Sequence, residues 1–326
     1  MIDVIRHRQI LAKTRTYVRA VPFAWYLYRI YWRFRSWIEA RRRYRLEREL
    51  VDFGKYPEPT LETPVSQLCT SNQLLSPIYR SWCRAMHSPA RFSRKQWEFV
   101  YILQALQLAG MLQPGKKGLG FGCGREPLAG LLAQHGCDIL ATDLAHDLAM
   151  EQGWVDTMQH ACSLDGLYSA AQEFISRQDF NARVQFHSVD MNAVPTEFHG
   201  LYDFVWSACA LEHLGSLQHG LNFIKNSVRC LAPGGVAIHT TEFNLSSNKN
   251  TCEEPGCSIY RASDIQSLIT ELEADGFAVA TLNLNTGAGR VDNHIDMPPY
   301  GFSPHLKLLL SGYVVTSIGL IIRRLQ

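Results

Sequence analysis

From Gly118 to the end of the chain, short apolar runs alternate with segments of helical period. Gly118-Leu119-Gly120-Phe121 predicts a strand that runs into a glycine turn. Asp138-Ile139-Leu140-Ala141-Thr142-Asp143 predicts a second strand, ending in an acid. Val184 to Asp190 and Tyr202 to Ser207 predict a third and a fourth, and Gly234 to Thr240 a fifth, entered through Leu231-Ala232-Pro233-Gly234-Gly235. Helical patterns such as Leu221 to Leu231 lie between them. Strands alternating with helices argue for a mostly parallel sheet with helices on both faces. Phe277 to Leu284 and Gly312 to Arg323 complete the strands; the last is rich in β-branched residues and bounded by glycine and arginine.

Residues 67–112 read as a helical lead-in to this sheet, and 67–326 as one domain. Within the lead-in, Lys95, Trp97 and Tyr101 are placed either to touch a ligand or to pack in the core. Residues 51–66, with Pro57, Pro59 and Pro64, read as a linker. Two connections are long: 146–179, containing Trp154, Gln159 and His160, and 286–311, containing Asp292 to Tyr300. Long connections at a site edge decide what enters it.

Charge changes the picture at the N-terminus. The first fifty residues hold thirteen Lys or Arg against four Asp or Glu, whereas the remainder hold nineteen against twenty-six. On a helix, Arg29, Arg33, Ser36 and Ala40 share one side, and Leu27, Ile30, Tyr31, Phe34 and Ile38 share the other. A basic, aromatic, amphipathic helix suits an anionic membrane surface. Packing on a partner or on the chain's own domain is the alternative. A nucleic-acid arm is a third, with no stacking motif or groove-reading element behind it. Arginines interrupt every candidate run of about 18 apolar residues, so no membrane span is predicted. Nine cysteines without a secretory signal pattern point to a reducing compartment, and the location expected is cytoplasmic, peripheral at the inner membrane.

The glycine turn carries the chemistry. Gly122-Cys123-Gly124 lets the backbone turn tightly and approach a nucleotide-like ligand. Asp143, about 20 residues on, is placed at a strand tip to accept hydrogen bonds from both ribose hydroxyls.

Gly122-Cys123-Gly124, Asp143, Asp190, the Tyr202-Asp203 strand, Leu211-Glu212-His213-Leu214 and Leu231-Ala232-Pro233-Gly234-Gly235 occur in order. In these motifs residues 95–326 resemble the class I S-adenosylmethionine-dependent methyltransferases. The resemblance implies a Rossmann-like sheet of seven strands, the last antiparallel, with S-adenosylmethionine across the carboxyl ends of the first strands. Arg94-Lys95-Gln96-Trp97-Glu98, and His305-Leu306 through Thr316-Ser317-Ile318-Gly319, are similar to methyltransferases found with bacterial polysaccharide assembly genes.

Two positions depart from the family pattern. The acid usual two residues before the first glycine is Gly120, and the third glycine is Glu126. Glu126 either meets the ammonium of the methionine moiety or complements the positive end of the following helix. The resemblance implies that the backbone of Gly122, Cys123 and Gly124 approaches the methionine moiety and that Asp143 holds the ribose. It further implies that Asp190 receives the adenine amino group, with Met191 on the ring and Ser207 in the cofactor set. Asp190 as a turn cap and Met191 as core are the alternatives.

His213, with Glu212, is the candidate catalytic pair, because an imidazole after the fourth strand is placed to take a proton from a hydroxyl acceptor. A buried orienting histidine is the alternative. Trp206, Glu242 and Asn244 are candidate acceptor walls, joined by His294, Asp296 and Tyr300 from the long connection. Cys209 stands where metal-binding relatives carry an acid, and Cys252 and Cys257 lack a second ligand pair, so no metal is expected.

The function expected is O-methylation of a sugar or lipid-linked glycan at the cytoplasmic membrane face. A small lipid or aromatic acceptor is a further possibility. A non-catalytic scaffold of the same fold and a nicotinamide oxidoreductase are the rivals from other classes. Oligomeric state is left open.

Overall fold

The computed structural model describes residues 49–151, 160–301 and 303–325, together with residues 30, 31, 41 and 46. The amphipathic helix expected within residues 1–50 lies outside the described residues apart from these isolated positions.

The strands are β1 (Ser66–Leu68), β2 (Lys117–Phe121), β3 (Asp138–Asp143), β4 (Val184–Ser188), β5 (Tyr202–Ala208) and β6 (Leu231–Asn244). The C-terminal set is β9 (Phe277–Val279), β10 (Leu282–Asn283), β12 (Lys307–Leu310) and β13 (Tyr313–Arg324), with β7 (Glu253–Glu254), β8 (Cys257–Ser258) and β11 (Ile295–Asp296) as two-residue pieces. Strands β6, β5, β2, β3 and β4 lie side by side and parallel. β13 runs antiparallel along β6 from Val315↔Asn244 to Arg323↔Val236, and β9 is antiparallel to β13. This is the Rossmann-like seven-stranded arrangement expected.

The sixth strand differs from the expected run Phe277 to Leu284. Only β9 pairs with β13; β10 pairs instead with β1, which inserts beside Ile318 and Gly319 of β13. A twelve-residue last strand is longer than any one partner on its outer edge, so that edge is shared by β12, β1 and β9 in turn. The fifth strand also outruns its prediction, because residues 241–244 stay hydrogen-bonded to β13.

Alternate side chains of each strand enter opposite layers. Phe204, Trp206, Ile238 and Ile321 face one core, with Trp97 and Leu131. Val205, Ala237 and Leu320 face the other, with Phe223 and Leu268. The helix of the lead-in, α3 (Arg94–Leu108, after α1 Ser71–Leu75 and α2 Pro77–Ala85), belongs to the first layer. Its Trp97 and Tyr101 rings stack at 4.9 Å and are fully buried, so both pack in the core.

The segment expected to be a linker lies against this domain. Val51 N donates to Leu245 O (2.8 Å), Phe53 packs 5.5 Å from Phe243, and Leu61 is fully buried. Its apolar side chains and the backbone oxygens of Tyr56 and Pro57, which accept from Asn285 and Asn283, hold it there.

Candidate active site

A cavity of about 520 Å³ opens at the carboxyl ends of β2, β3 and β5. The chain leaves β2 toward β3 on one side and later returns to β5 on the other, which is where open α/β sheets hold ligands. Gly122 borders it with φ +58°, and a Cβ there would lie 2.7 Å from Ala210 Cβ, so only glycine keeps the turn. Gly120 has a different reason. A Cβ at Gly120 would sit 2.3 Å from the Trp206 indole and 2.4 Å from Cys123 Sγ. The indole fills the space where the family's acid would project.

The carboxylate at this end of the cavity is Glu126 instead. Its Oε1 accepts from Lys95 Nζ at 2.8 Å, and its Oε2 is buried without a hydrogen-bond partner among the described residues. Lys95 Nζ also donates to Ala208 O (2.8 Å) and lies 3.5 Å from Glu98 Oε2. Burial pushes the Glu126 carboxyl up to about 7 against the pull of Lys95. Burial alone would lower Lys95, but Glu126 and Glu98 outweigh it and its pKa is raised. Cys209, at φ +48°, borders the same end, with its thiol donating to Glu98 Oε1 at 3.0 Å. Burial, then Glu212 and Glu98, push that thiol well up, so it is a neutral donor rather than a nucleophile.

On the β3 side, Asp143 Oδ2 accepts from Gly124 N (3.0 Å) and Ala161 N (3.1 Å), and Oδ1 from Leu144 N (2.8 Å). His160 Nδ1 lies 3.3 Å from Oδ2. Met191 borders the cavity while buried at 7% exposure. Asp190 borders it too, and its carboxylate caps Asn192 N at 2.8 Å. Cap and lining are compatible, since one oxygen makes the cap.

At the mouth, His213 shares the lining with Pro255 and Gly256. Its Nδ1 lies 2.7 Å from Gly256 O, which can only accept, so Nδ1 carries the proton and Nε2 the basic lone pair. Nε2 is 4.0 Å from Glu212 Oε1. Glu212 is buried; burial raises its pKa, and His213 pulls it back. Its Oε2 accepts from Thr241 Oγ1 at 3.0 Å.

Several residues expected here are elsewhere. Cys123 does not border the cavity, and its amide donates to Thr142 O (2.9 Å), which ties the turn to β3 rather than to a ligand. Ser207 points into the opposite layer from Trp206, bonded to His239 Nδ1 at 2.8 Å. Trp206 is core. Glu242 pairs with Arg94, which also bonds Glu98 and Ser317, beneath the cavity rather than in its wall. Asn244 holds the loop that follows it through Ser246 N, Ser247 N and Thr251. His294 and Tyr300 do not border the cavity; Tyr300 OH donates to Leu309 O, and Asp296 pairs with His305. Their connection is instead anchored by Asp292, which accepts from Ser71 N and Oγ.

His160, Glu151, Leu144 and the Pro255-Gly256 turn line the cavity without a role having been assigned from sequence. Glu151 and His160 sit on the 146–179 connection, whose length, not pattern, was the visible signal.

A family model described as a methyltransferase domain matches residues 94–282, more than half of the chain. The chain belongs to this methyltransferase family. The oxidoreductase reading falls with that match, and S-adenosylmethionine is the cofactor of this methyltransferase. Comparison with curated proteins finds no match. Among solved structures, the chain is similar to magnesium protoporphyrin IX methyltransferase from Synechocystis PCC 6803, with S-adenosylhomocysteine bound. Identity is 16% and the TM-score 0.42, over 78% of this chain and 97% of that one. It is also similar to phosphoethanolamine N-methyltransferase 2 from Haemonchus contortus, in complex with S-adenosyl-L-methionine. There identity is 15% and the TM-score 0.44, over 79% of this chain and 58% of that one.

The methyltransferase's cavity fits the cofactor by its own chemistry. The unpartnered Glu126 oxygen beside the Lys95 ammonium matches an amino-acid head, which carries both charges. Asp143 borders the same cavity, where Val189 and Met191 add an apolar wall.

Proposed function

We propose that this methyltransferase transfers a methyl group to a hydroxyl of a sugar or lipid-linked glycan at the cytoplasmic face of a membrane. The observation that carries the hydroxyl reading is the 2.7 Å contact of His213 Nδ1 with Gly256 O: the carbonyl accepts a hydrogen bond from Nδ1–H, so in the neutral ring the lone pair is on Nε2. When bound, S-adenosylmethionine supplies a methyl group already activated by positive sulfur. An alcohol needs a proton acceptor as it becomes the nucleophile, and His213 is the group placed to serve. The buried Glu212 carboxylate stabilises the resulting imidazolium. Lys95 and Glu126 orient the head of the cofactor, so that its methyl group faces the acceptor.

His213 on the lining of the cavity supports a hydroxyl-bearing acceptor over an apolar one. The basic aromatic composition of residues 1–50 supports delivery to an anionic surface. The test is methyl transfer from labelled S-adenosylmethionine to a panel of free sugars, lipid-linked sugars, phenols and amines. Turnover confined to phenols or amines would overturn the sugar reading. Sedimentation with anionic but not neutral vesicles, lost when residues 1–50 are removed, tests the membrane part.

A further inference from the structure

The acid that the fold presents to a ribose is largely occupied. Asp143 Oδ2 already accepts from Gly124 N and Ala161 N and faces His160 Nδ1 at 3.3 Å, while Oδ1 accepts from Leu144 N. A carboxylate has about two acceptor positions on each oxygen; the two backbone amides fill those of Oδ2, and one remains on Oδ1. A ribose offers two hydroxyls.

The second acceptor is next door. The His160 side chain is 4% exposed, borders the same cavity, and has an Nε2 with no hydrogen-bond partner among the described residues. A proton on Nδ1, toward Asp143, leaves the lone pair on Nε2. The His146 ring lies nearly parallel to it, at 6.1 Å and 27°, and limits its rotation. A buried polar atom left unpaired in a binding cavity calls for a partner from the ligand.

We propose that His160 is a second ribose-binding residue, so that Asp143 Oδ1 and His160 Nε2 each accept one hydroxyl of the cofactor's ribose. The inference rests on S-adenosylmethionine being the cofactor. The division makes the ribose site a paired Asp–His device in which Asp143 both binds and sets the tautomer of its neighbour.

The test is calorimetric binding of S-adenosylhomocysteine and its 2′-deoxy and 3′-deoxy analogues to the full-length wild type and to His160→Ala. Wild type should lose about 10- to 100-fold in affinity for each analogue, the usual cost of leaving a site's polar group unpaired. His160→Ala should bind S-adenosylhomocysteine correspondingly more weakly and cease to distinguish it from one analogue, while still rejecting the other. A merely structural role for His160 would weaken all three ligands alike, and equal discrimination in variant and wild type overturns the proposal. His160→Asn is measured in the same way if circular dichroism shows that His160→Ala is not folded. A folded wild type that binds none of the three ligands overturns the cofactor assignment itself, a result distinct from unchanged discrimination.

Discussion

Lys95 Nζ and Glu126 Oε1 are 2.8 Å apart, joining the first turn of α3 to the end of the glycine loop. The pair replaces the acid that Trp206 excludes at Gly120, and its second carboxylate oxygen has no partner among the described residues.

Glu126 titrates near 7 because it is buried, and only its ionised form attracts an ammonium strongly. S-adenosylhomocysteine should therefore bind more tightly as pH rises from about 6 to 8. Glu126→Gln should flatten that dependence and weaken binding at pH 8 by about 10-fold. Calorimetry across the range checks both.

Gly120→Asp, which restores the family's usual acid, should destabilise the protein rather than improve it. The new Cβ would fall 2.3 Å from the Trp206 ring, and overpacking of this kind costs about 1–3 kcal/mol. Adding Trp206→Ala should relieve the clash but leave a cavity, so the double variant stays below wild type in thermal unfolding.

His213→Ala should lower turnover by about 10²- to 10⁴-fold and leave S-adenosylhomocysteine affinity within about 2-fold. An unchanged turnover would remove His213 from the proton transfer. Single-turnover methyl transfer, once an acceptor is known, separates the step from product release.

Glu242→Ala should act on stability, not on acceptor affinity. The Arg94 guanidinium, 13% exposed, would keep Glu98 but lose its other carboxylate. Breaking a buried pair costs about 3–5 kcal/mol, reduced here by the remaining partner. Urea unfolding of the variant beside its unchanged cofactor affinity makes the distinction.

His239 is fully buried between Ser207 Oγ (2.8 Å) and Ser227 Oγ (3.1 Å), and burial pushes its pKa down from 6.5 to about 3. Folding favours the neutral ring, so its contribution is intact above about pH 6.5 and is lost as pH falls toward 3. The loss is about 1.4 kcal/mol per pH unit within that window. Urea unfolding at pH 7.5 and pH 5 should show a smaller drop for His239→Asn than for wild type. The variant should start lower, by about 1 kcal/mol, for its imperfect replacement of the two serine contacts.

The sequence by itself determined the alternation of strands and helices, the parallel sheet, the glycine turn and the acid at the tip of β3. These follow from local periodicity, from the conformations glycine permits and from the length of a βαβ unit, all of which are written along the chain. It also placed Glu126 and His213 at strand ends that border the cavity.

Only the tertiary structure decided which neighbours surround those groups. Lys95 reaches Glu126 across 31 positions and His160 reaches Asp143 across a long connection, and no local period encodes either meeting. Strand parity sent Trp206 into one layer and Ser207 into the other, whereas their place along the chain had made both site candidates. Glu242 and Asn244 on β6, and Tyr300 on the connection before β12, likewise have protein partners. A polar residue near a strand end has either a ligand or a protein partner, and long-range packing makes the choice.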